Sequence, residues 1–431
     1  MAAFDDNALG LYISIPFCRS KCTYCNFASG VYPASEHARY VDRLIKDLSQ
    51  SMDWAVRMSL ELPRRVDTVY LGGGTPSLLA PELLERLFTA VRAQFHLEPD
   101  AEITVECAPG QIADGTLAAF QVVGVNRVSM GVQSFVDREA QVSGRLHNRA
   151  IVEKDLLRLR NAGIANINLD LIAGLAGQTF ASWGESLTAL LEARVPHASV
   201  YMLEVDEDSR LGREMLAGGA RYYAETVPSD DVIAQMYTQA IARLDQAGLS
   251  QYEISNFCRP GFASRHNVRY WQRRPYLGLG LDASSMLRGV SRAAEFRQSG
   301  HVLRSTTTSD LGEFLAGPAP VETTWLCPAG QHEEAWFLGL RLNSGVDVAA
   351  VEREFGREQA SRAMEVVARL TTDGLLDSDG KTVRLTARGQ LLSNDVFQEF
   401  LELDAGESQP EPSLPDPPFR RQSPVLERAQ L

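Results

Sequence analysis

The stretch Leu11-Tyr-Ile-Ser-Ile-Pro-Phe-Cys-Arg-Ser-Lys-Cys-Thr-Tyr-Cys-Asn-Phe27 decides how this chain reads. Leu11–Ile15 has the apolar, β-branched character of a buried strand, and the loop that follows carries Cys18, Cys22 and Cys25. Working outward, the same unit recurs. Strands are expected at Asp67–Leu71, Glu102–Glu106, Arg127–Met130, Ile167–Ile172 and Ala198–Leu203. Helical patterns fall near Ser35–Val56, Pro81–Phe95, Ala150–Ala162 and Trp183–Ala193. Strands alternating with helices of this length imply βαβ units and a parallel sheet. Six units fall two short of a closed eightfold barrel, so the expected fold is α/β, an open (β/α)6 partial TIM barrel with its active site at the C-terminal strand ends. The polar candidates cluster there: the cysteine loop, Gly72-Gly-Gly-Thr-Pro76, Glu106, Gln133 and Asp170.

Further on, a helix is expected near Asp230–Ala247, then Gln251–Phe257 and a segment rich in His, Asn, Tyr and Trp. Ser305–Ala329 reads as a linker. Ala335–Leu403 reads as a small helical, winged-helix-like module whose hairpin turns at Asp377-Ser-Asp-Gly380. The expected division is therefore a barrel domain over 1–325, a C-terminal domain over 330–403, and a Pro-, Glu- and Ser-rich disordered tail over 404–431.

Composition narrows the class. The chain has 431 residues, is 45% hydrophobic and 23% charged, and carries a net charge of −13. That balance suits a globular protein with a large core, and it argues against a nucleic-acid partner. No apolar run is long enough for a membrane span, and the acidic start lacks a signal-peptide pattern, so a cytoplasmic location is expected. Six cysteines are too few for a disulfide scaffold, and three of them crowd into one loop.

Cys18-x3-Cys22-x2-Cys25 suits three corners of a [4Fe–4S] cube better than a zinc site, which usually pairs two Cys or Cys/His couples. Three thiolates leave one iron open to the amino and carboxylate groups of S-adenosylmethionine, whose sulfonium C–S bond an electron from the cluster can break. Tyr24 stands inside the motif where it could cover the adenine, and the glycine run lets backbone approach the methionyl ammonium.

These residues resemble those of the radical S-adenosylmethionine superfamily, and in particular the oxygen-independent coproporphyrinogen oxidase-like family with its heme-chaperone branch. The resemblance runs over about residues 10–403. It rests on Ile15-Pro-Phe-Cys18, Cys22-Thr-Tyr-Cys25-Asn-Phe27, Leu71-Gly-Gly-Gly-Thr-Pro76, Gly131-Val-Gln-Ser134, Asp170-Leu-Ile-Ala-Gly-Leu175 and Arg265-His-Asn-Val-Arg-Tyr-Trp271. Leu338-Gly-Leu-Arg341 and Leu391-Leu-Ser-Asn394 extend it. It implies that Tyr12, Gly73, Gly74, Thr75 and Glu106 contact one S-adenosylmethionine. Gln133, Arg145 and Asp170 match positions that contact a second one in the oxidase, or else form a polar network across the barrel mouth.

Two departures point from oxidase to chaperone. Phe27 stands where the oxidase pattern has a further cysteine, and only about ten residues precede Leu11. The chaperone branch implies that heme is bound and delivered to respiratory hemoproteins, with a homodimer and peripheral membrane contact as further expectations. His266, with Asn267, Tyr270 and Trp271, is the candidate heme site, and Arg265, Arg269, Arg273 and Arg274 could meet the propionates. The alternative is that His266 and Asn267 cap a loop while Trp271 fills core. His147 reads as structural or near the cofactor, Cys107 as incidental, and Cys258 and Cys327 as weak thiolate candidates. An oxygen-sensitive porphyrinogen oxidase and a non-catalytic Fe–S binding module remain competing functions.

Overall fold

The computed structural model describes residues 8–290, 300–318, 321–401 and 403. Six parallel strands form its centre: β1 (Leu9–Ile15), β2 (Arg65–Gly73), β3 (His96–Cys107), β4 (Arg127–Gln133), β5 (Asn166–Ala173) and β6 (His197–Met202). All six match expected strands. Helices connect them, including Ala34–Arg57, Pro81–Gln94, Arg149–Asn161 and Phe180–Glu192, with Asp114–Val123 as one that periodicity did not reveal.

Period-two alternation explains how this sheet is used. Leu11, Ile13, Val69, Leu71, Val105, Val128, Met130, Leu169 and Val200 lie in the main apolar core with Leu44, Phe88, Phe120, Leu156, Trp183 and Leu187 of the helices. Each such side chain contributes roughly 1.5–3 kcal/mol on burial. The intervening residues form the other face, and it is polar: Tyr12, Thr68, Tyr70, Glu106, Arg127, Ser129, Asn168, Asp170 and Ser199. A barrel interior built this way can hold ligands.

The sheet is larger than expected. β8 (Asn256–Cys258) adds antiparallel to β6 and β7 (Ser250–Glu253) antiparallel to β8, while β9 (Tyr276–Leu279) pairs parallel with β1 on its other side. β10 (Ser284–Arg288), β11 (Val302–Thr307) and β12 (Val321–Leu326) continue antiparallel from β9, giving twelve strands with β7 and β12 at the edges. The Ser305–Ala329 segment is therefore not a linker. It holds the second half of β11, the helix Leu311–Ala316 capped by Asp310, and all of β12.

A second apolar core gathers Trp336, Val351, Ala363, Val367, Val383 and Phe400. Around it stand the helices Pro328–Gly339, Val348–Phe355 and Arg357–Thr372 and a small sheet of β13 (Val346–Asp347), β14 (Leu376–Ser378) and β15 (Thr382–Leu385). The expected hairpin at 377–380 joins β14 to β15. The expected tail over 404–431 lies outside the described residues. Among the described residues no helix is long and apolar enough to cross a membrane.

Candidate cofactor mouth and the plug beneath it

The cysteine loop is held by backbone. Cys18 N–H donates to the Gly30 carbonyl at 2.8 Å, and Gly30 N–H donates to Pro16 at 2.9 Å, closing the loop at its neck. Thr23 N–H donates to Ser143 at 3.0 Å, and Leu211 N–H donates to Thr23 at 2.8 Å, so the loop is tied to the segments after β4 and β6. The glycine run fixes the other flank. Gly74 N–H donates to Ile15 at 2.9 Å and Thr75 N–H to Phe17 at 2.8 Å. A Cβ on Gly74 would lie within 2.8–2.9 Å of backbone atoms of Ile15 and Phe17, so only glycine permits this approach. Gly73 also needs glycine, having φ of +98°. These two glycines thus seat the β2 loop against the cysteine loop, a reason apart from any ligand.

Thr75 Oγ1 lies 3.8 Å from Cys18 Sγ, and Arg145 Nη1 donates to Cys22 Sγ at 3.5 Å. Burial raises the Cys18 and Cys25 thiols, and the neighbouring cysteines add to it, so metal must displace protons on binding. Among the described residues no three His, Cys, Asp or Glu side chains are gathered to hold a single metal ion.

Around this loop stand the other residues singled out from sequence. Glu106, near the end of β3, accepts from the Tyr70 hydroxyl at 2.9 Å. Burial pushes its carboxyl up to about 7, Asp170 adds to the rise, and the bonds from Tyr70 and the Gly73 backbone hold it down. Asp170 on β5 accepts from Asn168 at 2.6 Å and from Ser129 at 3.3 Å, and burial raises it too. Arg145 donates to the Gly131 carbonyl. Gln133 adopts a left-handed φ of 69°, and its buried Oε1 has no partner. Tyr12 stacks on Tyr70 with ring centroids 6.2 Å apart, and Tyr24 interacts with Cys22 and Arg145. Phe27 is 56% exposed on the rim.

The helix Arg265–Trp271 lies at the opposite, N-terminal end of the strands. Its Arg265 and His266 amides donate to Glu102, and Arg269 reaches the Ala8 carbonyl just before β1. His266 is 1% exposed and fully used: Nδ1 bonds Thr68 at 2.8 Å, Nε2 bonds Tyr270 at 2.9 Å, and its ring stacks on Tyr70 and Tyr12. Burial pushes its pKa well down. Neither ring nitrogen is open to an iron in this conformation. Asn267 N–H donates to the capping Ser264, and Trp271 lies buried under the Arg341 guanidinium at 4.3 Å. The four arginines offered for propionates are engaged within the chain. Arg269 and Arg274 share the buried Asp67, Arg273 pairs with Glu354, and Arg265 bonds the Asp100 carbonyl.

His147 bonds the Val132 carbonyl at 3.1 Å, close to Arg145, and burial lowers it to about 4. Burial raises Cys258 to about 11, and Cys107 is buried. Cys327 is exposed at the N-cap of a helix instead of in a linker. Sequence reasoning missed Tyr70, Thr68, Asp67 and Arg127. The signal for Tyr70, Thr68 and Arg127 was the strand alternation, which puts them on the inner face with Tyr12 and Glu106.

Residues 12–190 match the Radical SAM superfamily model, and residues 328–392 match the HemN C-terminal domain. With a parallel half-barrel and a cysteine loop at its C-terminal end, the chain belongs to the radical SAM superfamily. It is 34% identical over 390 residues to the heme chaperone HemW of Lactococcus lactis, covering 90% of this chain and 96% of that one. To HemW of Mycobacterium tuberculosis it is 34% identical over 403 residues, covering 93% and 97%. The chain belongs to the heme chaperone HemW family. The solved coproporphyrinogen III oxidase HemN of Escherichia coli shares the fold, with a TM-score of 0.75 over 91% of this chain and 90% of that one at 23% identity.

Proposed function

We propose that this chain binds a [4Fe–4S] cluster, S-adenosylmethionine and heme, and delivers heme to acceptor hemoproteins of respiration from the cytoplasm. The observation that carries the cofactor reading is the unfinished chemistry of the mouth. Three thiols stand beside a raised carboxyl and a buried, unpartnered Gln133 carbonyl. Those donors suit the cofactors: Cys18, Cys22 and Cys25 would hold three irons. Tyr12, Gly73, Gly74, Thr75 and Glu106 would receive the methionyl group, and Tyr24 the adenine. When bound and reduced, the cluster supplies an electron able to break the sulfonium C–S bond.

The chain's own part is orientation and charge. Glu106 as carboxylate attracts the ammonium, Arg145 can offer its charge to a carboxylate while touching Cys22, and Asp170 accepts from hydroxyl or ammonium donors. Heme rests on the family, whose curated members carry the chaperone name. His266 serves as axial ligand only if its helix leaves its seat and gives up Thr68 and Tyr270. A homodimer and contact at the membrane face complete the reading.

Heme titration of the reconstituted protein tests it, with a shifted Soret band that weakens in His266→Ala as the expected result. An unshifted band for the unmodified protein would sink the chaperone reading. The oxidase is the second reading, favoured by the shared HemN fold. Phe27 in place of a further cysteine counts against it. Anaerobic incubation with coproporphyrinogen III and a reductant is expected to leave the substrate unchanged, and protoporphyrinogen as product would reverse the choice.

A further inference from the structure

Arg127 begins β4, on the face shared with Ser129 and Gly131, and so points into the barrel. It is only 2% exposed. Its Nε is buried without a partner, and the side chain makes no hydrogen bond or ion pair with another described residue. Glu106 and Asp170 act on this charge without making an ion pair with it, so its donors are left for a ligand. Arg269 and Arg274, equally deep, show the usual solution by sharing Asp67.

The position is informative. The charge of Arg127 is felt by Glu106 and Asp170 at the mouth and by His197, Tyr252 and His266 towards the plug. It therefore stands between the cofactor residues and the Arg265–Trp271 helix. Glu106 and Asp170 make no ion pair with it; they accept from Tyr70, and from Asn168 and Ser129. Arg145 lies closer to the cysteines and suits the amino-acid carboxylate of the cofactor. The four arginines of the plug segment are already paired.

We infer that Arg127 is a carboxylate-binding residue inside the barrel, and that the carboxylate is a propionate of the bound tetrapyrrole. This rests on the heme reading above. A guanidinium offers two parallel N–H donors to a carboxylate, and a propionate reaching in from the mouth would supply the missing counter-charge.

The test uses the full chain, reconstituted with its cluster under anaerobic conditions and titrated with ferric heme or its dimethyl ester. The unmodified protein is expected to bind the free acid about 10–100-fold more tightly than the ester, the worth of a charge-assisted hydrogen bond. Arg127→Gln is expected to erase that preference and Arg127→Lys to keep part of it. The apo form of Arg127→Gln is expected to fold, because the side chain it replaces makes no hydrogen bond or ion pair with a described residue. If that variant does not fold, the acid-against-ester comparison on the unmodified protein still decides.

Equal binding of acid and ester overturns the proposal, as does a preference that survives in Arg127→Gln. If S-adenosylmethionine affinity falls in that variant while the acid preference persists, the carboxylate is the cofactor's and the propionate assignment is wrong. Failure of the unmodified protein to bind either form of heme overturns the heme reading together with this one. Binding without preference overturns this one alone.

Discussion

The two ends of the barrel are built from similar residues to opposite purposes. At the plug end, His266 bonds Tyr270 and Asp67 pairs with Arg269 and Arg274, and almost nothing is exposed. At the mouth, thiols, a carboxyl near 7 and an orphaned Gln133 carbonyl stand together. Read as motifs, both segments look like sites; as packed structure, both ring nitrogens of His266 are taken, whereas the mouth keeps its thiols and the Gln133 Oε1 for a ligand.

Four measurements can break or sharpen that contrast. The largest effect is expected from Cys22→Ser, which should abolish the cluster, read as iron content and visible absorbance after reconstitution. A full cubane in that variant would mean the ligand set is wrong. Next comes the plug. Asp67→Ala leaves Arg269 and Arg274 without their shared carboxylate and should cost about 3–5 kcal/mol in denaturant unfolding. A loss below about 1 kcal/mol would show that the plug is not built on that charge pair.

The third concerns Glu106. Its carboxyl is raised in the folded chain from 4.5 to about 7, so the folded state holds the proton over that interval and its contribution to stability falls as pH rises through it. Cofactor affinity should run the other way, strengthening as pH rises through about 7, since only the carboxylate attracts an ammonium. Glu106→Gln should flatten that slope in equilibrium dialysis, and an unchanged slope would remove Glu106 from the binding step. The smallest effect is expected from Tyr70→Phe, which deletes one hydrogen bond worth about 1 kcal/mol. Because that bond holds Glu106 down, its loss should move the affinity midpoint to higher pH. A midpoint moving lower would show that Tyr70 acts otherwise.

Much of this was legible in the sequence, for physical reasons that differ by region. β1 to β6 announce themselves because apolar residues alternate with inner-face polar ones and each strand precedes a helix. The cysteine loop is legible because spacing on one loop is local information. β11 and β12 were hidden: Ser305-Thr-Thr-Thr-Ser309 has the composition of a linker, and Val321–Thr324 at the sheet edge is exposed, without the alternation that marks a half-buried strand. The role of the Arg265–Trp271 helix was hidden for another reason. Asp67, Thr68 and Glu102, which tie His266 and its arginines down, lie more than 150 residues earlier in the chain. Partnership at that distance leaves no trace in spacing.

The pairing of β9 with β1 has a consequence for biosynthesis. β1 leaves the ribosome before the other strands of its sheet, yet one of its flanks stays bare until Leu279 has been made. At about 5–20 residues per second, that is a wait on the order of ten to fifty seconds. Throughout it, the strand that carries the cysteine loop is a sheet edge. A nascent chain can therefore complete β2 to β6 while the strand that leads into its cysteine loop still has one flank unpaired.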